Sequence, residues 1–165
     1  EQFTYYHPIT VRYSDLDPQG HVNNAVYLTY VEIARLGYYE ATGIGGALTG
    51  MVVAHIDIDY LAPITLGQEI RLGIRLVRIG NKSLTLGFQM ESLPEGSVVA
   101  KGTSVMVAFD NDAGKSIPFQ QEWRKKIYKF EEKLEEHDPP KIDTDGLIGF
   151  LTQLLNTPSP TGFTE

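Results

Sequence analysis

Cysteine is absent from all 165 residues. Its absence excludes a disulfide framework, thiol catalysis and thiolate metal sites, and it suits a reducing compartment. Basic residues are scarce: fourteen Lys and Arg stand against twenty-one Asp and Glu, for a net charge of -7. Such a balance argues against wrapping nucleic acid. An anionic ligand would have to be met by a local basic patch, because the overall field repels it. No run reaches the ~20 apolar residues of a membrane-spanning helix. Residues 1–6 have neither a basic n-region nor an apolar h-region, so no secretory signal is expected there and a cytoplasmic location is.

What is present is ordinary for a globular protein: 42% apolar and 21% charged residues, in a chain long enough to bury a core as one domain. Residues 5–13 read as a strand. A polar connection follows, and a helix is expected to start near Asn23 or Asn24, either a good N-cap. Val26, Tyr30, Ile33 and Gly37 fall at helical spacing on one face, with Ala34, Tyr38 and Ala41 beside them. Gly43 should stop that helix, and Gly37 inside it implies close packing against a sheet. Four strands are then expected at 51–61, 69–77, 83–91 and 98–109, with short connections that imply antiparallel neighbours. The first alternates Val52, Ala54, Ile56, Ile58 and Tyr60 against His55, Asp57 and Asp59. A second helix over 117–137 would be capped by Ser116, with Trp123, Ile127, Phe130 and Leu134 as its stripe. The order strand, helix, four strands, helix indicates an α+β domain with one antiparallel sheet. Residues 1–137 make that domain, and 138–165, with an apolar run at 147–155, form an extension of unassigned role.

Four patterns mislead. Asp15-Leu16-Asp17-Pro18-Gln19-Gly20 opens like a calcium loop, but its twelfth position is Val26 where a bidentate Glu is needed. Gly43-Ile44-Gly45 begins a dinucleotide fingerprint, yet it follows a helix and lacks the third glycine. Asn81-Lys82-Ser83 matches a glycosylation sequon and reads only as a surface turn. His55, Asp57 and Asp59 imitate metal ligands, but at strand rise the outer two are ~13 Å apart; no metal site is expected.

The informative segment is Tyr13 to Asn24. It places Asp15, Asp17, His21, Asn23 and Asn24 just ahead of a helix N-terminus, where backbone N–H groups are unpaired and the dipole end is positive. A carboxylate beside such donors suits hydrolysis at a carbonyl: one activates water or attacks, the other stabilises the oxyanion. Taken singly, each residue has a plainer role. Asp17 serves as a turn former, His21 as a surface polar group, Asn23 and Asn24 as helix starters, and Asp15 as a residue that orients the loop.

The pattern Tyr13-x-Asp15-x-Asp17-Pro18-x-Gly20-His21-Val22-Asn23-Asn24-x-x-Tyr27-x-x-Tyr30-x-Glu32-x-Ala34-Arg35 resembles the signature of the hotdog-fold acyl-CoA thioesterases, in their 4-hydroxybenzoyl-CoA thioesterase-like branch. The resemblance covers about residues 5–130. It implies an antiparallel sheet wrapped around a long central helix, and hydrolysis of an acyl-CoA thioester. Asp17 matches the family's catalytic carboxylate, as general base or nucleophile. Asn24 matches the helix start whose backbone N–H polarises the carbonyl, and His21 joins them as a catalytic candidate. Asn23, Tyr27 and Tyr30, with Val31 and the 43–51 loop, are candidates for the acyl pocket. Family members place the nucleotide near the turn between the middle strands, here Arg78, Gly80, Asn81, Lys82 and Ser83. No cofactor is implied, since coenzyme A belongs to the substrate. The implied partner is a second copy, in a homodimer or homotetramer with sites between subunits. Two other functions fit the same fold: a non-catalytic acyl-CoA-binding or sensing module, and an acyl-thioester dehydratase or hydratase using Asp17 with His21.

Overall fold

The computed structural model describes residues 3–45 and 50–132. The chain runs β1 (Tyr5–Ile9), α1 (Asn24–Ala41), β2 (Met51–Tyr60), β3 (Glu69–Ile79), β4 (Ser83–Leu93), β5 (Ser97–Asp110), β6 (Lys115–Ser116) and α2 (Gln121–Glu131). The strands form one antiparallel sheet in the order β1-β3-β4-β5-β2, with β6 paired to β5. The α+β reading holds. The expected second-helix end at 137 and the apolar run at 147–155 lie outside the described residues.

Register decides which side chains face α1. Leu84 lies opposite Met106, Phe88 opposite Gly102 and Met90 opposite Ala100, while Leu72 and Ile74 continue the same face across β3. All of these but Gly102 join Tyr27, Tyr30, Val31, Ala34, Tyr38 and Tyr39 of α1 in one buried cluster. Each large side chain there contributes roughly 1.5–3 kcal/mol of burial. Gly37 is explained by contact: a Cβ at that position would collide with the Tyr5 hydroxyl on β1. Gly43 ends α1 with φ at +77°, in the left-handed region.

Four expectations are corrected. The first strand stops at Ile9, and Tyr13–Asp15 form a single 3-10 turn. That turn closes because Asp15 accepts from the Arg12 N–H and guanidinium. The core stripe of α1 passes through Tyr27, Tyr30, Val31, Ala34 and Tyr38, whereas Ile33 is exposed. In β2 the register slips between Val53 and His55. The slip breaks the strict alternation expected across this strand, and Val53 and Ile56 come to line the same groove beside α1. The second helix begins at Gln121 with Gln120 as its N-cap. Ser116 is instead in β6, and the Ile117 and Phe119 N–H groups donate to Ala108 O and Asn81 O. Those sheet-directed bonds are incompatible with a helix starting there.

The second helix packs through Ile127, which is fully buried, with Trp123 and Phe130 partly buried against the core. Glu131 fixes its end. One carboxylate oxygen accepts from the Tyr38 hydroxyl at 2.6 Å and from the Leu76 N–H at 2.9 Å. Leu76 adjoins the β3–β4 register shift, so its N–H is free to reach a side chain. Burial, and then the neighbouring carboxylate, push the Tyr38 hydroxyl's pKa upward.

Candidate active site

The segment before α1 folds back on itself. Gly20, with φ at +79°, supplies the left-handed residue of the turn. Its N–H donates to Asp17 O, and the Asp17 N–H donates to His21 O. The Val22 N–H then bonds Ile64 O, and His21 bridges to Thr65. The loop is thus pinned to the chain that leaves β2.

Asp15 and Asp17 have separate environments. Asp15 is 2% exposed. It accepts from Arg12 Nη2 at 2.8 Å and from the Tyr30 hydroxyl at 2.7 Å, while its own carbonyl takes the Asn23 N–H. The Arg12 guanidinium holds the Asp15 carboxyl down to about 2, against the opposing effect of burial. Burial, followed by the Asp15 bond, raises the Tyr30 hydroxyl. Asp15 is committed to anchoring the loop beneath α1. Asp17 is only partly buried. Its Oδ1 accepts from the N–H groups of Gln19 at 2.8 Å and His21 at 3.3 Å. Neither bond uses Oδ2, so the turn fixes the carboxylate through one oxygen.

The N-terminus of α1 lies beside it. Asn23 is the N-cap; its Oδ1 accepts from the Ala25 N–H at 2.9 Å, and its carbonyl takes the Val26 N–H. None of these bonds engages the Asn24 N–H, which lies at the positive end of the helix dipole. Asp17, His21, Val22, Asn24 and Tyr27 line one open pocket of about 360 Å³. Its far wall is Tyr60 to Pro63. The Tyr60 hydroxyl donates to Asn24 O at 3.1 Å, and its ring stands edge-on to Tyr27 at 5.0 Å. Sequence reasoning does not place Tyr60, Leu61, Ala62 and Pro63 at the site. The local hint is slight: an aromatic at a strand end, followed by proline.

The other candidates divide. Tyr27 is at the pocket, as expected. Tyr30 is not: it is 2% exposed, and its hydroxyl is directed to Asp15. Asn23 is exposed and occupied with capping, and Val31 belongs to the core. Gly50, next to β2, is near Trp123, at the opposite end of α1 from Asp17. The Arg78–Ser83 turn is also remote within one chain. Tyr60 lies opposite Ala100 and Ser83 opposite Val107 on β5, a separation of about 24 Å at strand rise. In that turn Lys82 Nζ bonds Ser116, Asn81 O takes the Phe119 N–H, and Arg124 donates to Gly80 O at 2.7 Å. Ser83 is buried. His55 and Asp57 are exposed and 3.9 Å apart. Among the described residues no group of three or more His, Asp or Glu side chains is placed to hold a metal ion. No described helix is long and apolar enough to cross a membrane.

A six-stranded antiparallel sheet packed on one long helix is the hotdog fold. Residues 11–127 match the thioesterase-like superfamily, and the chain belongs to it. It is 37% identical to a thioesterase from Thermus thermophilus whose crystal structure is complexed with coenzyme A and Zn, with a TM-score of 0.72 over 79% of this chain and 96% of that one. It is 32% identical to the long-chain acyl-CoA thioesterase FadM of Escherichia coli K12, over 72% of this chain and 93% of FadM. The protein YsmA of Bacillus subtilis 168 is 31% identical, over 73% of this chain and 82% of its own length.

Proposed function

We propose that this thioesterase hydrolyses acyl-CoA thioesters in the pocket at the N-terminus of α1. The observation that carries the reading is the shared wall. Asp17, its carboxylate fixed by the turn, and Asn24, the first residue of α1, line one cavity. Asp17 Oδ2 takes a proton from water as the water attacks the thioester carbonyl, or attacks that carbon itself. The Asn24 N–H and the helix dipole stabilise the developing oxyanion. The intermediate then expels coenzyme A as its thiolate, and the proton that Asp17 took from water passes to that sulfur, with His21 in the same cavity as the relay; where Asp17 attacks directly, the thiolate leaves a mixed anhydride, which water hydrolyses to the free acid and the aspartate. A thioester carbonyl is electrophilic and its leaving group good, so this small set suffices without a resident cofactor.

The coenzyme A phosphates need cations, and the Arg78–Ser83 turn lies at the other end of the sheet. We place that turn over the pocket from a second copy, in a homodimer. The exposed apolar residues Leu28, Ile33, Leu36, Val53 and Tyr60 on α1 and the edge strand β2 support such pairing. The cytoplasm, where acyl-CoA is made and used, is the proposed location. The test is a panel of acyl-CoA thioesters with thiol-detecting readout, beside light scattering for mass. Thiol release by a dimer supports the reading. Tight acyl-CoA binding without turnover would replace it with a binding module.

A further inference from the structure

The sheet is buried on both faces, although α1 covers only one. Alternation along β4 and β5 sends Leu84, Leu86 and Met106 toward α1, and Thr85, Val105 and Val107 to the opposite, outward face. In an antiparallel sheet backed by one helix the outward face is ordinarily solvated. Here Val105 is 0% exposed, and Thr85 opposite it is 1% exposed. Val105 and Val107 are buried without belonging to the core cluster around α1.

Neighbours on a sheet stand beside one another and do not close over the top. No described helix packs on this pair: α1 is on the other face, and α2 is held to the core by Ile127 and to the chain at Leu76 by Glu131. Phe3 covers the outward face at Gly73, where a Cβ would collide with its ring. Gly73 lies opposite Gln89, about 13 Å along β4 from Thr85. On the far side the cover stops at β2. His55, opposite Val105, and Asp57 keep 45% and 55% of their side chains exposed.

The chain beyond Glu132 has the composition and the reach to supply that cover. It leaves α2 beside Leu76 of β3. The outward face of β3 carries Arg71, Arg75 and Arg78, and residues 133–146 carry five carboxylates against two lysines. The two stretches are opposite in sign and attract. Residues 147–155 then hold six large apolar side chains, among them Phe150, Leu151 and Leu154. From β3 to β5 is about 10 Å, and the fourteen residues of 133–146 can span up to about 45 Å.

We infer that residues 147–155 dock across the outward face of β4 and β5 of their own chain, over Thr85 and Val105, with 133–146 laid over the arginines of β3. The extension is a strap that seals the back of the sheet. Left bare, that surface would stack against the sheet of another copy.

The chain has no cysteine, so one introduced thiol reports one place. In the full chain, Thr85→Cys is compared with Lys101→Cys, an exposed position on the same face, for the rate of reaction with a soluble thiol reagent. The thiol at 85 is expected to react about 100-fold more slowly. Adding Phe150→Asp and Leu154→Asp should restore most of its reactivity while Trp123 fluorescence stays that of the folded protein. Equal rates at 85 and 101 would overturn the inference, without need of the aspartate variant. Protection that survives both aspartates would also overturn it. So would protection that weakens on dilution, which assigns the cover to a second copy.

Discussion

Removing the hydroxyl from Tyr30 should loosen the loop that carries Asp17 without touching the cavity. Tyr30 donates to a buried, ionised carboxylate at 2.7 Å, and a charge-assisted bond of this kind contributes about 1.5–3 kcal/mol. Tyr30→Phe keeps the ring and its packing, so that bond is the quantity measured. For a chain of this length the melting temperature should fall by about 3–12 °C. Asp15→Asn addresses the same network through pH. The Asp15 carboxyl is lowered from 3.8 to about 2, which corresponds to roughly 2–3 kcal/mol of stability. Because the folded value is depressed, that contribution is complete above about pH 4 and fades as pH falls through about 2. Urea unfolding followed by Trp123 fluorescence should therefore separate wild type from Asp15→Asn by this amount at neutral pH. The gap should narrow steadily below about pH 4. A gap independent of pH, or a Tyr30→Phe protein as stable as wild type, would refute the assignment of Asp15 as the anchor.

Three further outcomes follow from local contacts. Asn23→Ala removes the cap of α1 and should cost about 1 kcal/mol in chemical denaturation. Gly102→Ala would drive a methyl group into the Asp57 carbonyl and the Phe88 ring; a loss of about 3 kcal/mol or more is expected, seen as a collapse of soluble folded yield. Glu131→Ala strips the acceptor from Tyr38 and from the Leu76 N–H. It should destabilise by about 2–4 kcal/mol and raise hydrogen exchange at Leu76.

The contrast between Asp15 and Asp17 shows what a linear reading can reach. The turn chemistry is legible: Gly20 in the left-handed region, Asn23 as cap and Gly43 as stop are decided by near neighbours. The two aspartates cannot be ranked by chemistry alone. Asp15 is claimed by Tyr30, fifteen residues later, and only the folded helix brings them together. The wall from Tyr60 to Pro63 escapes for the same reason, since thirty-six residues separate Tyr60 from the Asn24 carbonyl that it touches. Helical spacing puts Ile33 in the core because it cannot say which side of a stripe the sheet occupies. The start of α2 is misplaced because Ile117 and Phe119 spend their N–H groups on the sheet. The basic turn at Arg78–Ser83 can be read from the chain as a cluster of polar side chains. Its distance from Asp17 becomes visible only with the register of β5.

The central claim is that Asp17 performs the chemistry and does not hold the fold. Asp17→Asn tests it most directly, because the amide oxygen can still accept from the Gln19 and His21 N–H groups. Its melting temperature should match that of wild type, while kcat for thiol release from acyl-CoA should fall about 10²- to 10⁴-fold. A stable Asp17→Asn protein with undiminished kcat would contradict the account.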